Sequence, residues 1–115
     1  MSSDENIIWV NGRLRSAGQH CVSPLDRGFT LGDGVFETLR AYGGKPFAMK
    51  RHWKRLMHAC ETTGLPVPAF DDFANTMDLT LAANNLMEAR VRYTVTSGGD
   101  PEGGASNAVC YATPV

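Results

Sequence analysis

The chain crowds five basic side chains, Lys50, Arg51, His52, Lys54 and Arg55, into six positions. In the opening turns of a helix such cations oppose the macrodipole by a few tenths to about 1 kcal/mol each, and a nearby anion would relieve that cost. The run can be a solvated basic face, a phosphate or carboxylate site, or a patch for nucleic acid. A second group, Phe36, Thr38, Arg40 and Tyr42, alternates along the chain and combines aromatic, hydroxyl and guanidinium chemistry. That mixture suits the wall of a small-molecule pocket, and equally a solvated sheet face with cross-strand pairs. Arg90 and Arg92 share one face of a later strand pattern. Two guanidiniums so placed can hold a carboxylate by bidentate hydrogen bonds, although exposed strand arginines are commoner. Glu37 falls between Val35 and Leu39 on the face opposite Phe36. Burying it alone would be costly, so it is expected to pair with a cation or to lie at a sheet edge.

Other chemistry is less supported. His20, His52 and His58, even with Cys21 or Cys60, lack the spacing of a metal site, and none is expected. Gly32-x-Gly34 and the glycines of 97–104 are too irregular for a dinucleotide fingerprint or a phosphate loop. The three cysteines, Cys21, Cys60 and Cys110, are odd in number and far apart. They read as reduced thiols of a cytoplasmic protein rather than a disulfide framework.

These residues need a scaffold, and 115 residues with 43% hydrophobic and 20% charged content give one soluble globular domain. The net charge of -1 provides no general attraction to polyanions, so neither nucleic acid nor a membrane is an expected partner. The start through Asn6 is polar and acidic, unlike a secretory signal. No stretch reaches the roughly 20 apolar residues of a membrane span.

Asn11-Gly12 between two apolar runs predicts a β-hairpin with a type I′ turn. From Cys21 to Gly34 the composition predicts a shaped loop rather than a regular element, and long loops in compact domains are usually functional. Val35 to Tyr42 reads as a strand, returned by Gly43-Gly44 into Lys45 to Met49. Lys50 to Thr63 places Trp53, Leu56, Met57 and Cys60 on one helical stripe, with Arg51, Lys54, Arg55 and His58 opposite and Gly64 as the stop. A second helix is expected from about Phe70 to Asn85, then strands at Ala89 to Thr96 and Ala108 to Ala112 around a Gly/Ser loop. The expected fold class is α+β, a mostly antiparallel sheet of about five to six strands packed with two helices.

One longer pattern adds to this reading. The run Ser23-Pro24-Leu25-Asp26-Arg27-Gly28-Phe29-Thr30-Leu31-Gly32-Asp33-Gly34-Val35-Phe36-Glu37-Thr38-Leu39-Arg40 continues through Gly44-x-Pro46-Phe47 and His52-Trp53-Lys54-Arg55-Leu56. It ends in Arg90-Val91-Arg92-Tyr93-Thr94-Val95-Thr96-Ser97-Gly98. This order of motifs, spanning Trp9 to Pro114, resembles the N-terminal domain of the fold-type IV, or class IV, pyridoxal-phosphate enzymes. These are the branched-chain aminotransferases, D-amino acid aminotransferases and aminodeoxychorismate lyases.

The resemblance implies that Arg55, the arginine of the His-x-x-Arg-Leu motif, binds the phosphate of pyridoxal 5′-phosphate. It implies that Phe36, Thr38 and Arg92 help line the substrate pocket. Thr38 stands where branched-chain enzymes commonly have glycine. The loop 97–107 lacks the Arg and His with which the D-amino acid enzymes hold a substrate carboxylate. The branched-chain aminotransferases are therefore the nearest implied relatives, with aminodeoxychorismate lyase, or a lysine-free binding or dimerisation module, as alternatives. Implied partners are amino acid and 2-oxo acid substrates and a second copy in a homodimer.

The family's Schiff-base lysine lies in a larger C-terminal domain, and Lys45, Lys50 and Lys54, the only lysines here, do not match it. The expectation is that residues 1–115 form the small N-terminal domain of a longer enzyme, contain no catalytic residue of their own, and are inactive alone.

Overall fold

The computed structural model describes residues 6–19, 21–99 and 105–115. The polar start through Glu5, His20 and the centre of the 97–107 loop lie outside the described residues.

Strands β1 (Ile7–Val10) and β2 (Arg13–Ser16) form the expected hairpin. Asn11 and Gly12 have φ of 50° and 96°, the double positive that a type I′ turn requires. The segment expected to be irregular from Cys21 to Gly34 instead contains one helical turn, α1 (Arg27–Thr30). The cause is local: the Asp26 carboxylate accepts the Gly28 N–H at 2.6 Å, and the Asp26 carbonyl accepts Phe29 and Thr30 at 2.9 Å. Aspartate is a preferred helix cap for this reason.

Strand β3 (Gly34–Tyr42) turns at Gly43-Gly44 into β4 (Lys45–Pro46). The return strand is thus shorter than the Lys45 to Met49 expected. The Phe47 N–H bonds back to the Arg40 carbonyl at 2.8 Å, Ala48 takes a left-handed φ of 59°, and Met49 already opens α2 (Met49–Thr63). Gly64, at φ 76°, closes α2, and the Leu65 N–H bonds the Cys60 carbonyl at 2.8 Å.

Helix α3 (Phe70–Ala83) ends before the expected Asn85, which adopts a left-handed φ of 53°. The Asn84 side chain accepts the Ile7 N–H and donates to the Ile7 carbonyl, both at 2.8 Å, tying this helix end to β1. Strand β5 (Ala89–Thr96) matches its expected bounds. Strand β6 (Asn107–Pro114) outruns the expected Ala108 to Ala112 because it pairs with all of β5 and also with Trp9 and Val10 of β1.

The six strands run in the order β2-β1-β6-β5-β3-β4, every neighbouring pair antiparallel. The architecture is the expected α+β one, with a third, single-turn helix added. Helix α2 packs on β3, and α3 on β5 and β6. Leu39, Ala41, Val91, Tyr93, Val95, Cys110 and Ala112 meet Leu56, Cys60, Phe73, Met77 and Leu81 in one buried core. The Phe73 and Tyr93 ring centroids are 5.2 Å apart.

Strand alternation then sends Phe36, Thr38 and Arg40 of β3, and Arg90, Arg92 and Thr94 of β5, to the face away from this core. Strand β4 pairs only with Ala41 and Tyr42, so positions 34–39 of β3 have no strand on their outer side among the described residues.

Candidate functional site

Two groups of side chains flank this open stretch of β3. On the helix side, Glu37 points toward α2, and its side chain is only 11% exposed. Its Oε1 lies 2.6 Å from His52 Nδ1 and its Oε2 lies 3.7 Å from Arg55 Nε. Both outcomes expected for Glu37 hold: it is paired with a cation, the Arg55 guanidinium, and it sits at a sheet edge. His52 and Arg55 are one turn apart on α2, which lets both reach the same carboxylate.

Beyond them a groove of about 980 Å³ runs along the helix, lined in part by Lys50, Arg51, Lys54, Arg55 and His58, with Glu37 at its floor. Helix α2 has no side-chain cap and no acidic residue in its first turn. A donor set with this excess of cations at an uncapped helix start suits a phosphate monoester. Lys50 is turned aside, its Nζ 4.2 Å from the Phe70 ring centroid and 5.5 Å from that of Trp53.

On the other side of β3, the register sets Thr38 opposite Arg92, and Arg92 opposite Tyr111 of β6. The Arg92 guanidinium lies 3.6 Å from the Phe36 ring centroid, a cation–π contact. Phe36 remains 52% exposed, so the pair presents an apolar plate and a planar fork of donors to the outside. Arg40 lies 4.4 Å from the Tyr42 ring centroid and 3.4 Å from Glu88.

The structure thus brings Phe36, Thr38 and Arg92 together and puts Arg55 across the strand from them. Arg90 lies two residues from Arg92 on the same strand, opposite Arg40.

Two residues of the site region escape the sequence reading. His52 is read there as part of the basic run and rejected as a metal ligand, and its pairing with Glu37 escapes because that carboxylate is fifteen residues earlier, in another element. Asp26 is 5% exposed and holds the turn before β3 in place. Besides capping Gly28 it accepts Thr96 Oγ1 and Asn107 Nδ2 at 2.6 Å each, joining the loop to β5 and β6. The signal available for it is an aspartate immediately before a short glycine-containing turn.

The family model for amino-transferase class IV matches residues 34–114. The provisionally named branched-chain-amino-acid aminotransferase of Methanocaldococcus jannaschii is 36% identical over 92 residues, covering 79% of this chain and 32% of that protein. The D-alanine aminotransferase of Staphylococcus epidermidis is 30% identical over 95 residues, 82% of this chain and 34% of that one. The aminodeoxychorismate lyase of Bacillus subtilis is 34% identical over 100 residues, 84% of this chain and 34% of that one. The chain spans about a third of the length of these curated relatives.

Among solved structures, the branched-chain amino acid aminotransferase from Escherichia coli superposes with a TM-score of 0.85 at 23% identity, covering 97% of this chain and 42% of that chain. The T.th. branched-chain amino acid aminotransferase with pyridoxamine 5′-phosphate gives a TM-score of 0.84 at 20% identity, covering 97% and 40%. These two likenesses show the fold. With most of its length matched by the family model, including β3, α2 and β5 that carry both groups of the site, the chain belongs to the class IV aminotransferases.

Proposed function

We propose that residues 1–115 are the small N-terminal domain of a pyridoxal-phosphate-dependent class IV enzyme, most like a branched-chain amino acid aminotransferase. Arg55 binds the cofactor phosphate, and Phe36, Thr38 and Arg92 form part of the wall that receives the amino acid or 2-oxo acid. The observation that carries this reading is the placement of Arg55 and the Phe36–Arg92 pair on opposite sides of one open strand edge. When bound, the cofactor supplies the electrophilic carbonyl and electron sink for amino-group transfer. This chain's residues bind and orient: Arg55 supplies fixed positive charge at the phosphate, and Arg92 offers a fork to a carboxylate.

None of Lys45, Lys50 and Lys54 serves as the cofactor-attaching lysine in this reading, which places that residue in a C-terminal domain outside the 115 residues. Alone, the chain is inactive in transamination. In the intact protein we place it in the cytoplasm and in a homodimer. The three free thiols and the exposed Leu25, Phe29 and Leu31 support those placements. No helix among the described residues is long and apolar enough to cross a membrane.

The test is twofold. Reading the gene past Val115 is expected to reveal a lysine-bearing second domain; a reading frame that ends there, with no partner chain supplying the lysine, would overturn the catalytic role. Titration of the 115-residue chain with pyridoxamine 5′-phosphate is expected to show reversible binding that Arg55→Gln weakens about tenfold or more.

The Bacillus relative keeps a second reading open, a chorismate-derived lyase, since it matches this chain over as long a stretch as the transaminases do. Substrate profiling of the intact enzyme separates the two. Amino transfer to a branched 2-oxo acid supports the first, and pyruvate release from aminodeoxychorismate supports the second.

A further inference from the structure

We propose that Glu37 is a positioning residue for Arg55, an inference that rests on the phosphate role given to Arg55 above. A carboxylate this deeply placed is costly unless its oxygens are engaged. Strand β3 fixes the Glu37 backbone between Val35 and Leu39, and His52 Nδ1 at 2.6 Å holds Oε1. That leaves Oε2 to face Arg55 Nε at 3.7 Å. A guanidinium carries five donors in a rigid fork. With the Nε side facing Glu37, the terminal nitrogens are the ones offered to an anion.

Arg55 is 68% exposed on a long flexible stem, so without such an anchor it would sample many rotamers and lose that freedom on binding. His52 acts at one remove, by holding the carboxylate that holds the arginine.

The alternative role for Glu37 has the opposite sign. A negative charge beside Arg55 also competes with any incoming anion. If Glu37 acted only through its charge, removing it would tighten anion binding; if it positions Arg55, removing it weakens binding.

The experiment is a sulfate titration of the 115-residue chain at neutral pH, followed by the 1H–15N resonance of Arg55 Nε–Hε. The proteins are the parent chain, Glu37→Gln, His52→Gln and Arg55→Gln. Positioning predicts that Glu37→Gln and His52→Gln each weaken sulfate binding about threefold to fivefold, the range of an exposed ion pair. It also predicts that both broaden or shift the Arg55 Nε–Hε signal while the backbone spectrum is kept.

Sulfate affinity that is unchanged or higher in Glu37→Gln, with Arg55→Gln still defective, overturns the positioning role and leaves the Arg55 reading standing. Unchanged affinity in Arg55→Gln overturns the Arg55 reading itself. Should Glu37→Gln fail to fold, His52→Gln, which keeps the carboxylate, decides the question by the same two readouts.

Discussion

The Asp26 carboxylate is nearly closed off from solvent and accepts hydrogen bonds from Thr96, Asn107 and the Gly28 N–H. Burial pushes its pKa up, but the hydrogen bonds from Thr96, Asn107, Gly28 and Gly98 together outweigh burial and leave it below the ordinary value. A carboxyl harder to protonate in the folded state adds stability that is complete above its unfolded pKa, about 4, and is lost as pH falls through the lower folded value. Asp26→Asn is therefore expected to cost about 1.5–3 kcal/mol at pH 7 in urea denaturation. The gap to the parent chain should close as pH drops below about 4; a gap that stays constant to low pH would show that the charge is not its source. Of the residues read from the sequence, Phe36 and Thr38 were legible as one face of their strand because strand alternation is strict, whereas Arg92 joins them through the β3–β5 register, Thr38 opposite Arg92. The Glu37–His52–Arg55 cluster was legible only in part, since that a carboxylate between Val35 and Leu39 needs a partner follows from composition, while the identity of the partner depends on where α2 lands.

At the scale of elements, α2 was the most readable because its apolar stripe and its terminal glycine agree with each other. Gly64 at φ 76° ends the helix in a conformation that costs a side chain about 1–2 kcal/mol. Gly64→Ala is accordingly expected to lower stability by that amount, measured by thermal or urea unfolding, with sulfate binding at Arg55 unaffected because the cap lies two turns away. A loss below a few tenths of a kcal/mol would mean the helix ends elsewhere in solution. The elements misjudged, β4, the end of α3 and the length of β6, are all set by hydrogen-bond partners in other elements, a neighbouring strand for β4 and remote segments for the other two. Phe47 bonds Arg40 across the turn, Asn84 bonds Ile7, and β6 extends because β5 and β1 are there to pair with it. The α1 turn is the exception, a local feature whose aspartate cap was present in the sequence.

For the whole molecule, one continuous core joins sheet and helices, and two of the three thiols lie in it. Burial pushes the Cys60 thiol up, and pushes that of Cys110 up to about 12 against a hydrogen bond with Thr80. Both are shielded and protonated at pH 8, so iodoacetamide is expected to alkylate Cys21 well before Cys60 and Cys110, which react only as the domain opens. Peptide mass mapping over time checks this; simultaneous labelling of all three in the folded chain would contradict a single closed core. The open edge of β3 has a further consequence for such a chain in solution. Unpaired strand edges invite a neighbouring molecule to add its own strand, and natural sheets discourage this with a charge pointing inward from the edge. Glu37 meets that description: the carboxylate that faces Arg55 is a charge turned inward from the stretch of β3 that no described strand covers.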